Sequence, residues 1–414
     1  MMLGIKAACW TAIMVVLLVT LGLDPSGTAD AQEGRWVTAW GSSLQGLSPD
    51  TLTNATVQMI ARPTIPGDSV RVKLENTFSA EPLTIGAAYV ALRNHKVSLV
   101  QGLNRQLTFN GLPSVTIPAA GRIISDPVVL TVEARQDLAV SLYVPGTNVP
   151  ISRHTSAYTI SYLTPNGAGN HAASEDRSAF TVDTTSMYWL SAVEVFSSSA
   201  TSAIIAFGDS ITNGTCSTAE AYDRWEDVLA VRLSLLASNS TAVVNEGISG
   251  NTLTRANLTP PPDSPPGIER LDRDVLEQAG VTHVILFMGT NDIDRGASAA
   301  QVIAGMQEVI DRVKAVRLKI IGVTIIPRHN QSPTNTSTGW NDTKTAIRNE
   351  VNSWIRHHAK FDAIVDFDEV VRDAANPNLI NPIFNCDGIH PNSFGYFVMG
   401  QSIDLESLPG IEVE

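Results

Sequence analysis

From about residue 204 to residue 365, short apolar runs alternate with stretches of helical periodicity. No other property of the sequence restricts the fold as tightly. The runs cover residues 204–207, 242–245, 284–288, 320–326 and 363–365. Between the first two, Trp225, Val228, Leu229 and Leu236 fall on one helical face, with Asp223 as the expected cap. A second helix is expected over 268–278. A third carries Val302, Met306, Val309, Val313 and Val316, spaced by four, three, four and three. A fourth turns Ile347, Val351, Trp354, Ile355 and His358 inward. Repeated strand–helix units of this length predict an α/β fold with a parallel five-stranded sheet, right-handed crossovers and helices on both faces.

The chain upstream reads differently. From Trp36 to about Phe196 β-rich runs such as 69–74, 83–86, 114–117 and 138–144 are punctuated by Pro66-Gly67-Asp68, Asn110-Gly111 and Pro145-Gly146. Period-2 alternation with regular turns predicts an all-β, jelly-roll-like antiparallel sandwich. His154 and His171 fall in its polar loops without metal-ligand spacing and read as surface or interface residues. The junction is placed at Ser197-Ser198-Ser199-Ala200, giving a β-sandwich domain over 32–197 and an α/β domain over 201–414.

Lys6 precedes an apolar run over 7–23, followed by Ala29-Asp30-Ala31. This is the pattern of a secretory signal peptide over 1–31, cleaved before Gln32, and it predicts a secreted (extracellular or periplasmic) protein. An uncleaved membrane anchor is the alternative. No later run is long and apolar enough to span a bilayer, so stable membrane insertion is not expected of the mature chain. With a net charge of -13, nucleic acid and anionic membrane are not the expected partners. Of the three cysteines, Cys216 and Cys386 remain after cleavage, in a compartment where disulfides form.

Four polar, glycine-rich segments follow the predicted strands: Gly208-Asp209-Ser210, then residues 245–251, Gly289-Thr290-Asn291-Asp292, and Cys386-Asp387-Gly388-Ile389-His390-Pro391. The carboxyl edge of an open α/β sheet is where ligand groups gather. A lone serine after a strand is more often a helix cap than a nucleophile. Four such segments on one edge argue for a site. The four blocks, GDS, GxSGN, GTND and DGIHP, resemble those of the GDSL esterases of the SGNH hydrolase superfamily, from Ala203 to the C-terminal region. The upstream half is similar to that of secreted two-domain members related to xylan-associated esterases.

The resemblance implies a flavodoxin-like α/β/α domain that hydrolyses carboxylic esters. It implies Ser210 as nucleophile, His390 as general base and acid, and Asp387 as the group that orients the imidazole. It assigns the oxyanion donors to the N–H of Ser210, the N–H of Gly250 and the side-chain amide of Asn291. Gly250, without a side chain, would let substrate approach its N–H. If the Ser210 and His390 loops are neighbours, Cys216 and Cys386 become a disulfide pair, two free thiols being the alternative.

Asp209, Asn245 and Asp292 read as braces of their turns. His283 and His358 read as packed, His357 as exposed, and His329 as a possible pocket wall. The sequence has no HExxH, CxxC or GxxxxGK pattern, so neither a metal nor another cofactor is expected. There is no GxSxG elbow. Loops at 259–267 and 327–340 are placed beside the active edge. The expected substrate is a small or polymeric ester with a short acyl or acetyl group, including acetylated polysaccharide. A lipase or lysophospholipase and a non-catalytic polysaccharide-binding protein are the other readings.

Overall fold

In the computed structural model, the first strand of the parallel sheet, Ala200–Gly208, buries both its faces. Ala203, Ile205 and Phe207 enter one apolar core and Ile204 and Ala206 the other, as the two-residue period of a strand requires. The structure describes residue 1 and residues 34–237, 240–328 and 339–412. The expected signal peptide and His329 lie outside the described residues.

The five strands run parallel, in the spatial order Ser240–Gly247, Ala200–Gly208, Val281–Phe287, Lys319–Val323 and Ala363–Val365. The chain therefore starts near the middle of the sheet and changes direction of travel between its first and third strands. Loops leaving these strands diverge there and open a crevice. The helices Trp225–Leu236, Ala299–Ala315 and Asp342–His357 form as the periodicity predicts.

The helix ends depart from the sequence reading. Arg224 occupies the first cap, while the Asp223 carboxylate accepts the N–H of Thr218. Leu233 is buried in place of Leu236, which is 42% exposed. Val316 ends its helix 52% exposed, and His358 caps its helix in solvent. The fourth strand stops at Val323: Thr324 N–H still reaches Val365 O of the neighbouring strand, but the N–H and carbonyl of Ile325 are both taken by the Asn352 side chain.

Residues 35–197 form antiparallel sheets without a regular helix. In one, Leu190–Ser197 lies between Arg35–Gly41 and Gly67–Glu75; in another, Leu138–Val144 lies between Ala55–Ala61 and Ala87–His95. Leu190–Ser197 then continues through Ser198 and Ser199 into the parallel sheet. The two halves pack closely. One apolar core runs from Val37 and Val193 through Ala203 and Val244 to Leu271, and residues from Gly34 onward form one compact unit. Across the junction Thr38 N–H donates to Ala279 O at 2.9 Å, and Thr38 Oγ1 donates to Gln278 Oε1 at 3.2 Å. His154, predicted in a loop, ends a strand and is buried at this junction. Among the described residues no helix is long and apolar enough to cross a membrane.

Candidate active site

Ser210 begins the four-residue helix Ser210–Asn213 at the end of the first parallel strand. The Asp209 carboxylate caps it, accepting the Ile211 N–H at 3.0 Å, and Gly214 closes it with its N–H on Ser210 O. As the first helical residue, Ser210 carries an N–H with no intrahelical acceptor. The neighbouring strand end comes very close: a Cβ on Gly247 would sit 2.3 Å from Asn213 N, so only glycine fits.

Ser210 Oγ lies 2.8 Å from His390 Nε2, and His390 Nδ1 lies 2.9 Å from Asp387 Oδ2. Ser210 and His390 are buried and Asp387 is half-buried. The network fixes the tautomer: Nδ1–H donates to the carboxylate, which leaves the Nε2 lone pair for the serine hydroxyl. Asp387 also builds its own loop, its Oδ1 accepting the N–H groups of Ile389 and His390 at 3.0 and 2.9 Å. Burial opposes its charge, but these bonds and the imidazole hold its carboxyl well below the usual carboxylate range. Such a chain can deprotonate a hydroxyl and later return the proton.

Cys216 and Cys386 are joined in a disulfide, Cα atoms 6.4 Å apart. A Cys216 sulfur, an Asp387 oxygen and a His390 nitrogen all lie within 4.8 Å of one another. With the sulfur bonded and the other two groups paired to each other, these are packed neighbours and not a free donor set for a metal. Tyr396, on the helix Ser393–Ser402 just beyond His390, donates its hydroxyl to Thr215 O at 2.7 Å.

The other blocks surround this centre. Gly250 has φ +72°, a conformation that favours glycine whatever the space, and a Cβ there would meet only Arg295 at 3.9 Å. Backbone conformation, more than crowding, therefore selects glycine at this position. Asn291 lies in the helix Thr290–Asp294 and donates one amide N–H to Asn251 O at 2.9 Å, tying the second block to the third. Asp292, Asp209 and Asn245 do brace turns. Asp292 accepts the N–H groups of Leu253 and Thr254, and Asn245 that of Gly247. His283 is buried with Nε2 on Pro409 O, while His171 is half-buried and bonded to Ala168 O.

Sequence reasoning missed the buried cations. Arg270 is 1% exposed and bonds Gly208 O, Glu246 O, Asn251 Oδ1, Asp274 and Ser43. Arg328, also buried, reaches Thr290 O at 3.4 Å and Asp294 Oδ2 at 3.5 Å. Neither is singled out by the sequence reading; the one signal for them is their proximity to apolar runs.

Burial pushes the Asp209 carboxyl up to about 7 and the Asp292 carboxyl up to about 6. Burial also raises Glu226 and Glu246. An unfolded carboxylate titrates near 4. These carboxyls thus keep protons that the unfolded chain releases, and their contribution to stability falls as pH rises from about 4 through about 7. Thermal melts across pH 4.5–8 should show a falling Tm, with a shallower slope in Asp209→Asn, whose amide oxygen still caps the helix. Parallel slopes in the two proteins would refute this assignment.

Residues 206–397 match the GDSL-like Lipase/Acylhydrolase family. No curated protein matches the chain. Among solved structures it is similar to a carbohydrate acetylesterase from Sinorhizobium meliloti (18% identity, 48% of this chain and 94% of that one, TM-score 0.38). It is likewise similar to the aryl esterase of M. smegmatis (22%, 48% and 95%, TM-score 0.38). A GDSL-like lipase from Bacteroides thetaiotaomicron VPI-5482 gives 19%, 50% and 87%, with a TM-score of 0.37. With its family blocks gathered around one serine, the chain carries a GDSL-like lipase/acylhydrolase domain and is an ester hydrolase.

Proposed function

We propose that this protein is a secreted serine esterase that removes short acyl groups, acetyl above all, from hydroxyl-rich alcohols such as polysaccharide. The observation that carries the reading is the unbroken chain from Ser210 Oγ through His390 to Asp387, at 2.8 and 2.9 Å. Ser210 attacks the ester carbonyl as its proton passes to His390 Nε2. Asp387 holds the imidazole in orientation and stabilises its charged form. Collapse of the tetrahedral species returns the proton to the leaving alcohol. Water, activated by the same imidazole, then frees the enzyme. The oxyanion is held by the N–H groups of Ser210 and Gly250 and by the second amide N–H of Asn291, the first being committed to Asn251.

The export signal supports an extracellular substrate. A polar cleft of about 170 Å³, lined by Arg328, Trp340, Asn341, Thr345, Asn376 and Asn378, borders the third block through Arg328 and supports a hydroxyl-rich alcohol. One observation favours a lipid ester instead: Ile383, Phe394 and Phe397 flank the Asp387–His390 loop in sequence and are 58%, 53% and 48% exposed.

p-Nitrophenyl esters of graded length, run beside acetylated xylan, test the proposal. Hydrolysis fastest on acetyl and butyryl esters, with acetate released from the polymer, is the expected result. A preference for long acyl chains would move the assignment to lipid esters. No turnover of any ester would leave a polysaccharide-binding protein. Asn291→Ala is expected to lower kcat by about 10²-fold or more, the usual cost of one oxyanion donor, with little change in KM. An effect confined to KM would make Asn291 a ground-state binding residue.

A further inference from the structure

Ser43 belongs to the antiparallel half, yet its side chain is buried among residues of the catalytic half. Its hydroxyl donates to Glu246 Oε2 at 2.5 Å and accepts Arg270 Nη1–H at 2.9 Å. Arg270 in turn holds three groups around the nucleophile. Nη2 donates to Gly208 O at 2.8 Å, Nη1 to Glu246 O at 2.9 Å, and Nε to Asn251 Oδ1 at 3.0 Å. Gly208 lies two residues before Ser210, and Asn251 follows Gly250 and accepts Asn291 on its carbonyl. Each proposed oxyanion donor is therefore within two residues of a group that Arg270 holds, or bonds to such a residue.

We propose that Arg270 is a positioning residue for the oxyanion donors, and that Ser43 of the antiparallel half holds its guanidinium in register. This rests on the esterase reading above and extends it, making the antiparallel half a working part of the site. A buried pair such as Arg270 with Asp274 (3.0 Å) adds little net stability over apolar packing of the same volume. Its value is geometric. A planar fork with five donors can fix several acceptors at once, which a lysine ammonium cannot do.

A second route runs in parallel. The Ser43 carbonyl lies 2.9 Å from His154 Nδ1, and His154 Nε2 lies 2.9 Å from Asn213 Oδ1. Asn213 donates to Ser249 Oγ, on the residue before Gly250. The segment around Ser43 is thus linked to the residues on either side of Gly250 by two chains of hydrogen bonds, one through Arg270 to Asn251 and one through His154 and Asn213 to Ser249.

Steady-state kinetics on p-nitrophenyl acetate test the proposal. Ser43→Ala should lower kcat about tenfold with KM within about twofold, and Ser43→Thr, which keeps the hydroxyl, should recover most of the loss. Arg270→Lys should lose about 10²-fold in kcat; if it fails to fold, the Ser43 variants decide. Thr64→Val removes a different hydrogen bond across the junction, from Val243 N–H to Thr64 Oγ1 at 3.0 Å, which shares no partner with Arg270, and should lower Tm while sparing kcat. Ser43→Ala combined with Asn291→Ala should lose less than the product of the single losses, because both act on the same oxyanion.

Wild-type kcat in Ser43→Ala would overturn the proposal. So would kcat losses in Ser43→Ala and Thr64→Val that scale alike with Tm, which would make the contact merely structural. Inactive wild-type enzyme, or an active Ser210→Ala, would instead overturn the esterase reading itself.

Discussion

Ser210→Ala is expected to abolish ester hydrolysis, with a loss of at least about 10⁴-fold in kcat, since a nucleophile and its base act as a unit. The fold should survive. Helix capping at this turn uses the Asp209 carboxylate and the Ser210 carbonyl, neither of which the substitution removes. Among the described residues, the one side-chain bond lost is that to His390 Nε2. Losing one hydrogen bond of this kind costs about 1 kcal/mol, so Tm should move by only a few degrees. The assay is hydrolysis of p-nitrophenyl acetate by folded variant, with circular dichroism to establish the fold. Folded Ser210→Ala retaining a tenth of wild-type activity would remove Ser210 from the chemistry.

Breaking the Cys216–Cys386 disulfide is expected to have the largest effect on stability of any single change. The bridge closes a sequence separation of 170 residues. In the chain-entropy model a loop of that length contributes about 5 kcal/mol, an upper figure because real unfolded chains keep some structure. Cys216→Ser/Cys386→Ser should therefore melt several degrees lower. Activity should fall as well. Cys386 N–H donates to His390 O at 3.0 Å, so the residue that anchors the bridge also shapes the loop bearing the acid and base. Tyr396 would still hold the following helix to the Ser210 turn, so the loss should be partial. Melts and kinetics of the double variant, with thiol counting on the native protein, provide the check. Unchanged Tm and kcat would show that packing alone holds the two loops together.

The sequence made the catalytic edge legible because its signals are local. The first three apolar runs stop at glycine-rich polar segments, and the strand-to-turn change marks where a parallel sheet presents its groups. Those segments carry the blocks whose resemblance to the GDSL esterases named Ser210, Asp387 and His390. Helix interiors were equally readable, but their ends were not. Leu236 and Val316 keep the apolar period after the core beneath them has run out. His154 was placed in a loop, at the surface or an interface, because its neighbours in sequence are polar; it ends a strand and is buried at the interface, beside Ser43 and Asn213. The order of the antiparallel strands was out of reach for the same reason: Arg35–Gly41 pairs with Leu190–Ser197, far along the chain. Arg270 is the sharpest case. Beyond its apolar neighbours nothing in sequence marks a buried guanidinium, since all its acceptors except Asp274 come from distant segments, at 43, 208 and 246–251.

The core shared between the halves means that the stretch recognisable as a family domain is not the stretch able to stand alone. A gene trimmed to residues 206–397 would lack the strand Arg35–Gly41, whose Val37 lies against Gly280 and whose Gly41 backbone meets Val244. The uncovered sheet would offer water an apolar face where the full chain has interior, a surface of the kind that draws proteins into aggregates. Shortening or recombining this enzyme therefore calls for cut points chosen by what each half covers, and the two serines between the sheets are a poor place to cut.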